Sequence, residues 1–435
     1  QLQSKLMTPE ALWAMGRMGG AAASPDGKLV VYQITKYSVK DNKGCTKLYI
    51  QSTSASKNKV PASQCLTPDN TSESDAAWID GGKKIAFLRE GQVWAMNADG
   101  TGRVKLTDSK IDIEGFRFSP DGTKVILIKS LPYHGSIQKN PDDLPLATGR
   151  LVTDMHYVES RTHPFVANVN GDKIDEGVDI LNGEPYECPM APFGGIEQLA
   201  WSPDSKQIAY TCRKKEGVQY AISTDADIYL YDVATKTTRN LCKPADYKEP
   251  AVDATKSMRD QAVNHQQGDM HVGYDQDPKF SPDGNYIAWQ SMKRDGYESD
   301  RNRLCVLNLK TGQETYVTES FDSNVDDFCW SNDSKSLYFI GCWQAQVNLY
   351  STNLKGDVQL WKSDDYGFGD FGSLQMLGKG LKNKNLLLTR HSMIHPDDLF
   401  VINPTKSGMT QITDVNKDIR PSGQTHHPDA LGKDH

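Results

Sequence analysis

The stretch that decides the fold is Phe-Ser-Pro-Asp-Gly at residues 280–284, followed one residue later by Tyr-Ile-Ala-Trp at residues 286–289. Proline presets φ at the first central position of a turn, aspartate bonds back to the backbone, and glycine accepts a positive φ. The apolar, aromatic-rich run that follows is typical of a β-strand. The stretch therefore predicts a tight turn that leads into a short buried strand.

This turn-and-strand pattern repeats along the chain. Downstream of most copies comes a third strand, such as Ile-Tyr-Leu-Tyr-Asp at residues 228–232, then a polar turn and a fourth strand. Four short strands per unit, repeating every ~40–60 residues, are typical of propeller blades, whereas an open β-sandwich does not repeat in this way. The sequence predicts an all-β fold, a β-propeller of about seven four-stranded blades of the WD40-like or TolB-like kind. The six clear copies of the turn lie at residues 23–27, 78–82, 118–122, 201–205, 280–284 and 330–334, with a degraded seventh between 374 and 388.

Length and composition fit a repeat architecture. The 435 residues exceed the usual single-core limit of about 250–300 residues, which blades that pack on their neighbours avoid. The net charge of -7 argues against nucleic acid as a partner, and no apolar run approaches the ~20 residues of a membrane span. We expect a lead-in segment at residues 1–20, the propeller at 21–413, and a linker or tail at 414–435.

Cysteine usage and the first residues bear on the cellular compartment. The eight cysteines show no CxxC or Cys/His metal spacing, so we expect no metal site. Cys45 opens a strand and Cys65 closes the strand expected to pair with it, which predicts a disulfide if hairpin register brings their Cα atoms to about 5.5 Å. The opening Gln-Leu-Gln-Ser-Lys looks like the mature start left by an export signal, although an ordinary boundary is the alternative. We expect a periplasmic or secreted protein.

Nearly all the long connections fall on one predicted face. With strands A to D counted outward in each blade, the turns described above join A to B, and short polar turns join C to D. The opposite face carries the B–C and D–A connections, and loops longer than ~12–15 residues are often functional. This face is therefore expected to meet a partner or substrate. The long segments are residues 129–163, 213–227 and 293–302 between B and C, and 170–198 and 243–277 between D and A.

A charged stretch at residues 293–303 supplies the candidate binding residues. Glu298, Asp300, Arg301 and Arg303 could hold charged groups of a substrate, and the Glu298 carboxylate suits an α-amine. The alternative is a solvated loop with internal ion pairs, in which Glu298 pairs with Arg301 or Arg303.

A second segment, residues 186–197, is apolar enough to form an interface. Tyr186, Met190 and Phe193 are its candidate interface residues. The alternative is that the segment packs on its own blade.

Motifs for catalysis and cofactor binding are absent from the sequence. It contains no Gly-x-Ser-x-Gly nucleophile elbow, no Gly-x-Gly-x-x-Gly after a strand, no Walker loop and no His-Glu-x-x-His. We therefore expect no catalytic residue and no cofactor in this chain, which should be inactive alone.

Longer segments resemble a known family. They include Ala-Pro-Phe-Gly-Gly at residues 191–195, Gly-Tyr-Glu-Ser-Asp-Arg at 296–301 and Pro-Asp-Asp-Leu-Phe at 396–400. This series resembles the N-terminal propeller of prolyl oligopeptidase family serine peptidases, in the dipeptidyl peptidase V and acylaminoacyl-peptidase branch. The resemblance covers nearly the whole chain, and residues 296–301 are its most specific part.

The resemblance implies a function shared with a second domain. In that family a C-terminal α/β-hydrolase domain carries a Ser-Asp-His triad, while the propeller caps the active site, filters peptides by size and helps to hold their N-terminus. The chain is thus expected to be the non-catalytic, substrate-gating propeller of an exported serine exopeptidase whose hydrolase domain is absent from it. The alternative is a free-standing periplasmic propeller that acts as a protein- or ligand-binding scaffold.

Overall fold

The all-β prediction is confirmed by a computed structural model of the chain. It describes residues 7–55, 59–67, 70–132, 160–216, 219–220, 223–248, 271–361, 369–393 and 395–419. These residues contain one α-helix, α1 (Pro9–Ala14), and 29 strands in seven antiparallel sheets. Each sheet is called a blade below and numbered in chain order. No helix in the described part of the chain is long and apolar enough to cross a membrane.

The chain divides into two compact units, of which unit 1 comprises residues 1–106 and 323–435. It contains blades 1, 2, 6 and 7, each made of four consecutive strands. The strands are β1 Arg17–Ala23, β2 Leu29–Ser38, β3 Lys43–Ser52 and β4 Gln64–Cys65 in blade 1; β5 Ser74–Ile79, β6 Lys84–Arg89, β7 Gln92–Asn97 and β8 Val104–Lys105 in blade 2; β22 Val325–Trp330, β23 Ser336–Trp343, β24 Gln346–Asn353 and β25 Val358–Leu360 in blade 6; and β26 Asp370–Met376, β27 Leu386–Ser392, β28 His395–Ile402 and β29 Met409–Gln411 in blade 7.

Unit 2 comprises residues 107–322 and contains blades 3, 4 and 5. Blade 3 differs from the others because two short strands, β12 and β13, both pair with its third strand. The strands are β9 Ile113–Phe118, β10 Lys124–Pro132, β11 Ser160–Asn170, β12 Lys173–Ile174 and β13 Val178–Asp179 in blade 3; β14 Leu199–Trp201, β15 Gln207–Cys212, β16 Asp227–Asp232 and β17 Thr237–Asn240 in blade 4; and β18 Asp275–Phe280, β19 Tyr286–Ser291, β20 Arg303–Asn308 and β21 Glu314–Tyr316 in blade 5.

Five of the A–B turns share one hydrogen-bond pattern. The serine Oγ donates to the aspartate Oδ1 at 2.6 Å, and it accepts the backbone N–H of the first residue of strand B. The residue after the aspartate has positive φ, 73° at Gly284 and 61° at Ser334. The repeated Ser-Pro-Asp-Gly motif thus ties each turn to the strand that follows. The pairs are Ser24–Asp26, Ser119–Asp121, Ser202–Asp204, Ser281–Asp283 and Ser331–Asp333.

Apolar clusters between neighbouring blades form the core of each unit. In unit 2, Trp201 of blade 4 packs with Ile126 and Ile128 of blade 3, and Trp289 of blade 5 packs with Ile228 of blade 4. Three further clusters join blades 6 and 7, blades 7 and 1, and blades 1 and 2 in unit 1. Each blade therefore buries its faces against its neighbours in the unit, as expected of a repeat protein.

Residues that flank the first and last blades meet inside unit 1. The Gly16 N–H donates to Asn416 Oδ1 at 2.8 Å, and Asn416 Nδ2 donates to the Gly16 carbonyl at 2.9 Å. Gln375 of blade 7 likewise donates to the Ala21 carbonyl and accepts from the Ala23 N–H. These contacts join blade 1 to blade 7 through side chains, with no strand exchanged between the two sheets.

The predicted disulfide between Cys45 and Cys65 is wrong in this structure. Cys45 lies opposite Lys36, whereas Cys65 lies opposite Tyr49, four residues along β3 from Cys45. All eight cysteines are free thiols. The predicted pairing is wrong because β4 has only two residues, and these pair with Tyr49 and Ile50 of β3 and not with Cys45.

The predicted boundaries at residues 20 and 413 stay predictions. The first strand begins at Arg17 and the last ends at Gln411. Residues 420–435, most of the predicted tail, lie outside the described residues.

Candidate functional site

Long connections between strands B and C are confined to unit 2. In unit 1 these connections have two to four residues, whereas in unit 2 they span 133–159, 213–226 and 292–302. Residues 133–159 lie outside the described part of the chain. The candidate site is therefore built from the B–C loops of blades 4 and 5, called here loop 4 (213–226) and loop 5 (292–302).

Loops 4 and 5 are joined by a compact hydrogen-bond network. Asp295 Oδ1 accepts from Ser223 Oγ at 2.8 Å and from the Thr224 N–H at 2.7 Å. Thr224 Oγ1 in turn accepts the Gly296 N–H at 2.9 Å. Because each bond crosses from one loop to the other, the two loops hold a fixed relative position.

Three of the four predicted binding residues are engaged in ion pairs within the protein. Asp300 accepts two bonds from the Arg294 guanidinium, at 3.1 and 3.2 Å. Burial alone would raise the pKa of Asp300, but the hydrogen bonds and charge of Arg294, together with the Arg301 N–H, outweigh burial and lower that pKa. Arg301 and Arg303 both bind Glu319, at 2.6 and 3.1 Å. These residues therefore stiffen loop 5 and tie it to the connection after β21.

Glu298 is the exception among the four. Its side chain is exposed, and it forms no hydrogen bond or ion pair with any residue that the structure describes. The alternative in which Glu298 pairs with Arg301 or Arg303 is not what the structure shows, because Glu319 takes both arginines. Glu298 thus presents a carboxylate to which no residue in the described part of the chain offers a cation.

A tyrosine ahead of blade 5 lies within the electrostatic reach of Glu298. Burial raises the pKa of Tyr274, Arg213 opposes that rise, and the Glu298 carboxylate adds to it. The Tyr274 phenol is therefore neutral at physiological pH and can donate or accept a hydrogen bond next to the carboxylate.

A buried group of arginine and tyrosine lies at the base of loop 4. The Arg161 and Arg213 Cζ atoms lie 4.2 and 4.6 Å from the centre of the Tyr220 ring. Arg161 also pairs with the buried Glu187 at 3.3 Å. Both guanidinium groups are buried, and they hold the Tyr220 ring and Glu187 at the base of loop 4.

A neighbouring set of charges is balanced within the protein. Lys243 Nζ lies 2.6 Å from Asp225 and 2.8 Å from Asp227, and Lys215 lies 2.7 Å from Asp225. Burial alone would lower the pKa of Lys243, but the carboxylates of Asp227 and Asp225 raise it above its usual range. This cluster fixes loop 4 to the segment after β17 and leaves no obvious charge for a ligand.

The predicted interface residues divide into two groups. Met190 is buried, with its N–H bonded to Gln198 Oε1, and half-buried Tyr186 packs against the core between blades 3 and 4. Phe193 is 94% exposed. Tyr186 and Met190 therefore pack against the protein, as the alternative for this segment proposed. Phe193 remains exposed and available to a partner.

Sequence reasoning missed Arg161, Arg213, Tyr220 and Tyr274. They come from three separate segments, β11, loop 4 and the residues before β18, and belong to no motif. An arginine or tyrosine on a long loop is most often a surface residue. The one feature of the sequence that could have indicated these residues is their position on the predicted long-loop face.

Curated proteins similar to this chain are peptidases. The chain is 39% identical over 424 residues to dipeptidyl-peptidase 5 of Porphyromonas gingivalis and 37% identical over 425 residues to that of Porphyromonas endodontalis. In each case 95% of this chain is aligned. The chain is a propeller domain of this peptidase branch. It spans 56% of the length of these two relatives, and no protein-family model matches it.

Solved structures confirm the fold. The β-propeller domain of the Trilobed protease from Pyrococcus furiosus aligns with 94% of this chain and 98% of its own, at a TM-score of 0.57 and 16% identity. The acylaminoacyl peptidase of Pyrococcus horikoshii aligns with 93% of this chain and 54% of its own, at a TM-score of 0.59 and 16% identity. The fold of this chain, with its seven sheets, is the seven-bladed β-propeller predicted from the sequence.

Proposed function

We propose that the chain is the non-catalytic, substrate-gating propeller of an exported serine exopeptidase of the dipeptidyl peptidase type, and that it works with an α/β-hydrolase domain. The observation that carries the proposal is the Glu298 carboxylate, which is exposed and has no cation from the described residues. It belongs to loop 5, which the ion pairs of Asp300 and Arg301 hold in place. A fixed carboxylate is suited to the free ammonium of a peptide.

This arrangement favours a free N-terminus over a blocked one. An ammonium group gains a charge-assisted hydrogen bond with Glu298, whereas an acylated nitrogen carries no charge to pair with it. The half-buried Tyr274 phenol can bond a neutral oxygen of the same peptide. Glu298 therefore supports the dipeptidyl type rather than the acylaminoacyl type.

The periplasmic or secreted location stays a prediction. The free thiols of Cys45 and Cys65 lend it no support.

The test is Glu298→Gln in the full-length protein that contains this chain. An ammonium–carboxylate contact in a partly closed cavity contributes roughly 1.5–3 kcal/mol. We therefore expect kcat/KM to fall about 10–100-fold on dipeptidyl chromogenic substrates, since tenfold corresponds to about 1.4 kcal/mol. Acetylated versions of the same peptides should change by less than about 3-fold, because they lack the charge.

Asp300→Asn is the matched control, because Asp300 lies two residues away and binds Arg294. Its loss loosens loop 5 and should lower kcat/KM on both substrate types by a similar factor. Equal losses on free and acetylated peptides in Glu298→Gln would contradict the assignment of Glu298.

A further inference from the structure

A group of metal-ligand side chains lies between blades 4 and 5. The Cys242 Sγ, a His271 ring nitrogen and an Asp275 carboxylate oxygen lie within 4.8 Å of one another, and all three residues are buried. Cys242 follows β17, whereas His271 and Asp275 lie at the entry to β18. We propose that these three side chains bind a divalent cation of the zinc class.

Asp275 supplies the observation that points to a ligand. Its Oδ1 accepts from His271 Nδ1 at 2.9 Å and from Trp289 Nε1 at 2.6 Å. Its Oδ2 is buried and has no hydrogen-bond partner among the described residues. A buried carboxylate oxygen without a donor is costly, and a cation would supply the missing partner.

The ring of His271 is held as a metal-binding histidine is commonly held. Its Nδ1 faces Asp275, and its Nε2 lies 3.1 Å from Glu314 Oε2. A ligating histidine usually donates its other ring N–H to a carboxylate, which fixes the tautomer and the ring plane. Cation binding at Nδ1 would release the Nδ1 proton and the Cys242 thiol proton to solvent, and Nε2 would keep its proton for Glu314.

The donor set selects the class of cation. One sulfur, one imidazole nitrogen and one carboxylate oxygen suit zinc, whereas calcium and magnesium prefer oxygen ligands alone. The Ile228 N–H already donates to Cys242 Sγ at 3.3 Å. The bound cation would join the two ends of the connection 243–270, which sequence spacing could not reveal.

A second grouping through the same histidine serves as the matched control. His271, Cys305 and Glu314 also place ligand atoms within 4.8 Å of one another. In that grouping the Glu314 side chain is 33% exposed, so the grouping lacks what Asp275 supplies, a buried carboxylate oxygen without a hydrogen-bond partner among the described residues. The proposal therefore requires Cys242 and not Cys305.

The experiment is a Co²⁺ titration of the full chain after dialysis against a chelator. We expect one equivalent of cobalt to give the visible bands of a tetrahedral site and a thiolate-to-cobalt charge-transfer band in the near ultraviolet. Zinc should compete for the site and raise the Tm by a few degrees, as ligands that bind only the folded state do. Cys242→Ala should lose the charge-transfer band, and Cys305→Ala should retain it.

X-ray absorption of the wild-type zinc protein keeps the proposal testable if Cys242→Ala does not fold. One sulfur neighbour per zinc, with nitrogen or oxygen completing the shell, is the expected result. A shell without sulfur, or no charge-transfer band in wild type, would overturn the proposal and leave His271 as an imidazolium between two carboxylates. A band that persists in Cys242→Ala but disappears in Cys305→Ala would assign the other grouping instead.

Discussion

One asparagine, Asn416, bridges the residues that flank blades 1 and 7, which makes Asn416→Ala a direct test of that contact. Asn416 is 3% exposed, and its amide satisfies both the N–H and the carbonyl of Gly16, which is itself buried. Alanine would leave two buried backbone groups without partners, at about 1–3 kcal/mol each. We therefore expect the variant to lose about 2–5 kcal/mol of unfolding free energy.

Urea denaturation followed by tryptophan fluorescence measures the loss, and amide hydrogen exchange locates it. Exchange should accelerate in β1, β2 and β28 of unit 1 and change little in β16 and β20 of unit 2. Lys417→Ala is the neighbouring control, because Lys417 is exposed and such substitutions usually stay within about 0.5 kcal/mol. A loss in Asn416→Ala no larger than that of Lys417→Ala would refute the argument.

Three shorter predictions concern the turns and a buried ion pair. The hydrogen bond from Ser24 is the main cause that lowers the pKa of Asp26, so Ser24→Ala should raise that pKa toward its usual value in an NMR pH titration. Because the folded pKa lies below the unfolded value, the contribution of Asp26 to stability is present above about pH 4. In wild type that contribution should disappear as the pH falls through the folded pKa, and acid melts of wild type and Ser24→Ala should converge. Glu176→Ala should destabilise the protein by about 3–5 kcal/mol, because the ammonium of buried Lys129 lies 2.5 Å from the Glu176 carboxylate. Lys129→Met should cost clearly less in the same melts, since the half-exposed Glu176 can be rehydrated; equal losses in the two variants would contradict this asymmetry.

The blades were predictable because their signal is local. The Ser-Pro-Asp-Gly pattern forms its own hydrogen bonds within five residues, as at Ser281 and Tyr286. Each copy therefore predicts its blade independently of the other copies. Register between more distant strands was not predictable, which is why Cys45 and Cys65 were wrongly paired. The pairing between β3 and β4 is decided by the length of β4, and that length depends on how the strand packs.

The candidate site was predictable in place but not in detail. Residues 293–303 were recognised by their charge, yet the choice of partners depends on Glu319, which lies 16 residues beyond Arg303. The three arginines and three acids of residues 293–303 allow several pairings of similar energy in an extended chain. Only the fold of blade 5 brings Glu319 to Arg301 and Arg303, and Glu298 then has no ion pair among the described residues.

Every sheet of this protein takes its strands from one uninterrupted stretch of chain. Whole blades can therefore be gained, lost or exchanged between genes as cassettes, because a cut in a D–A connection divides no hydrogen-bonded ladder. The same property makes the chain a suitable subject for circular permutation. New termini placed between β8 and β9 would keep all seven described sheets whole.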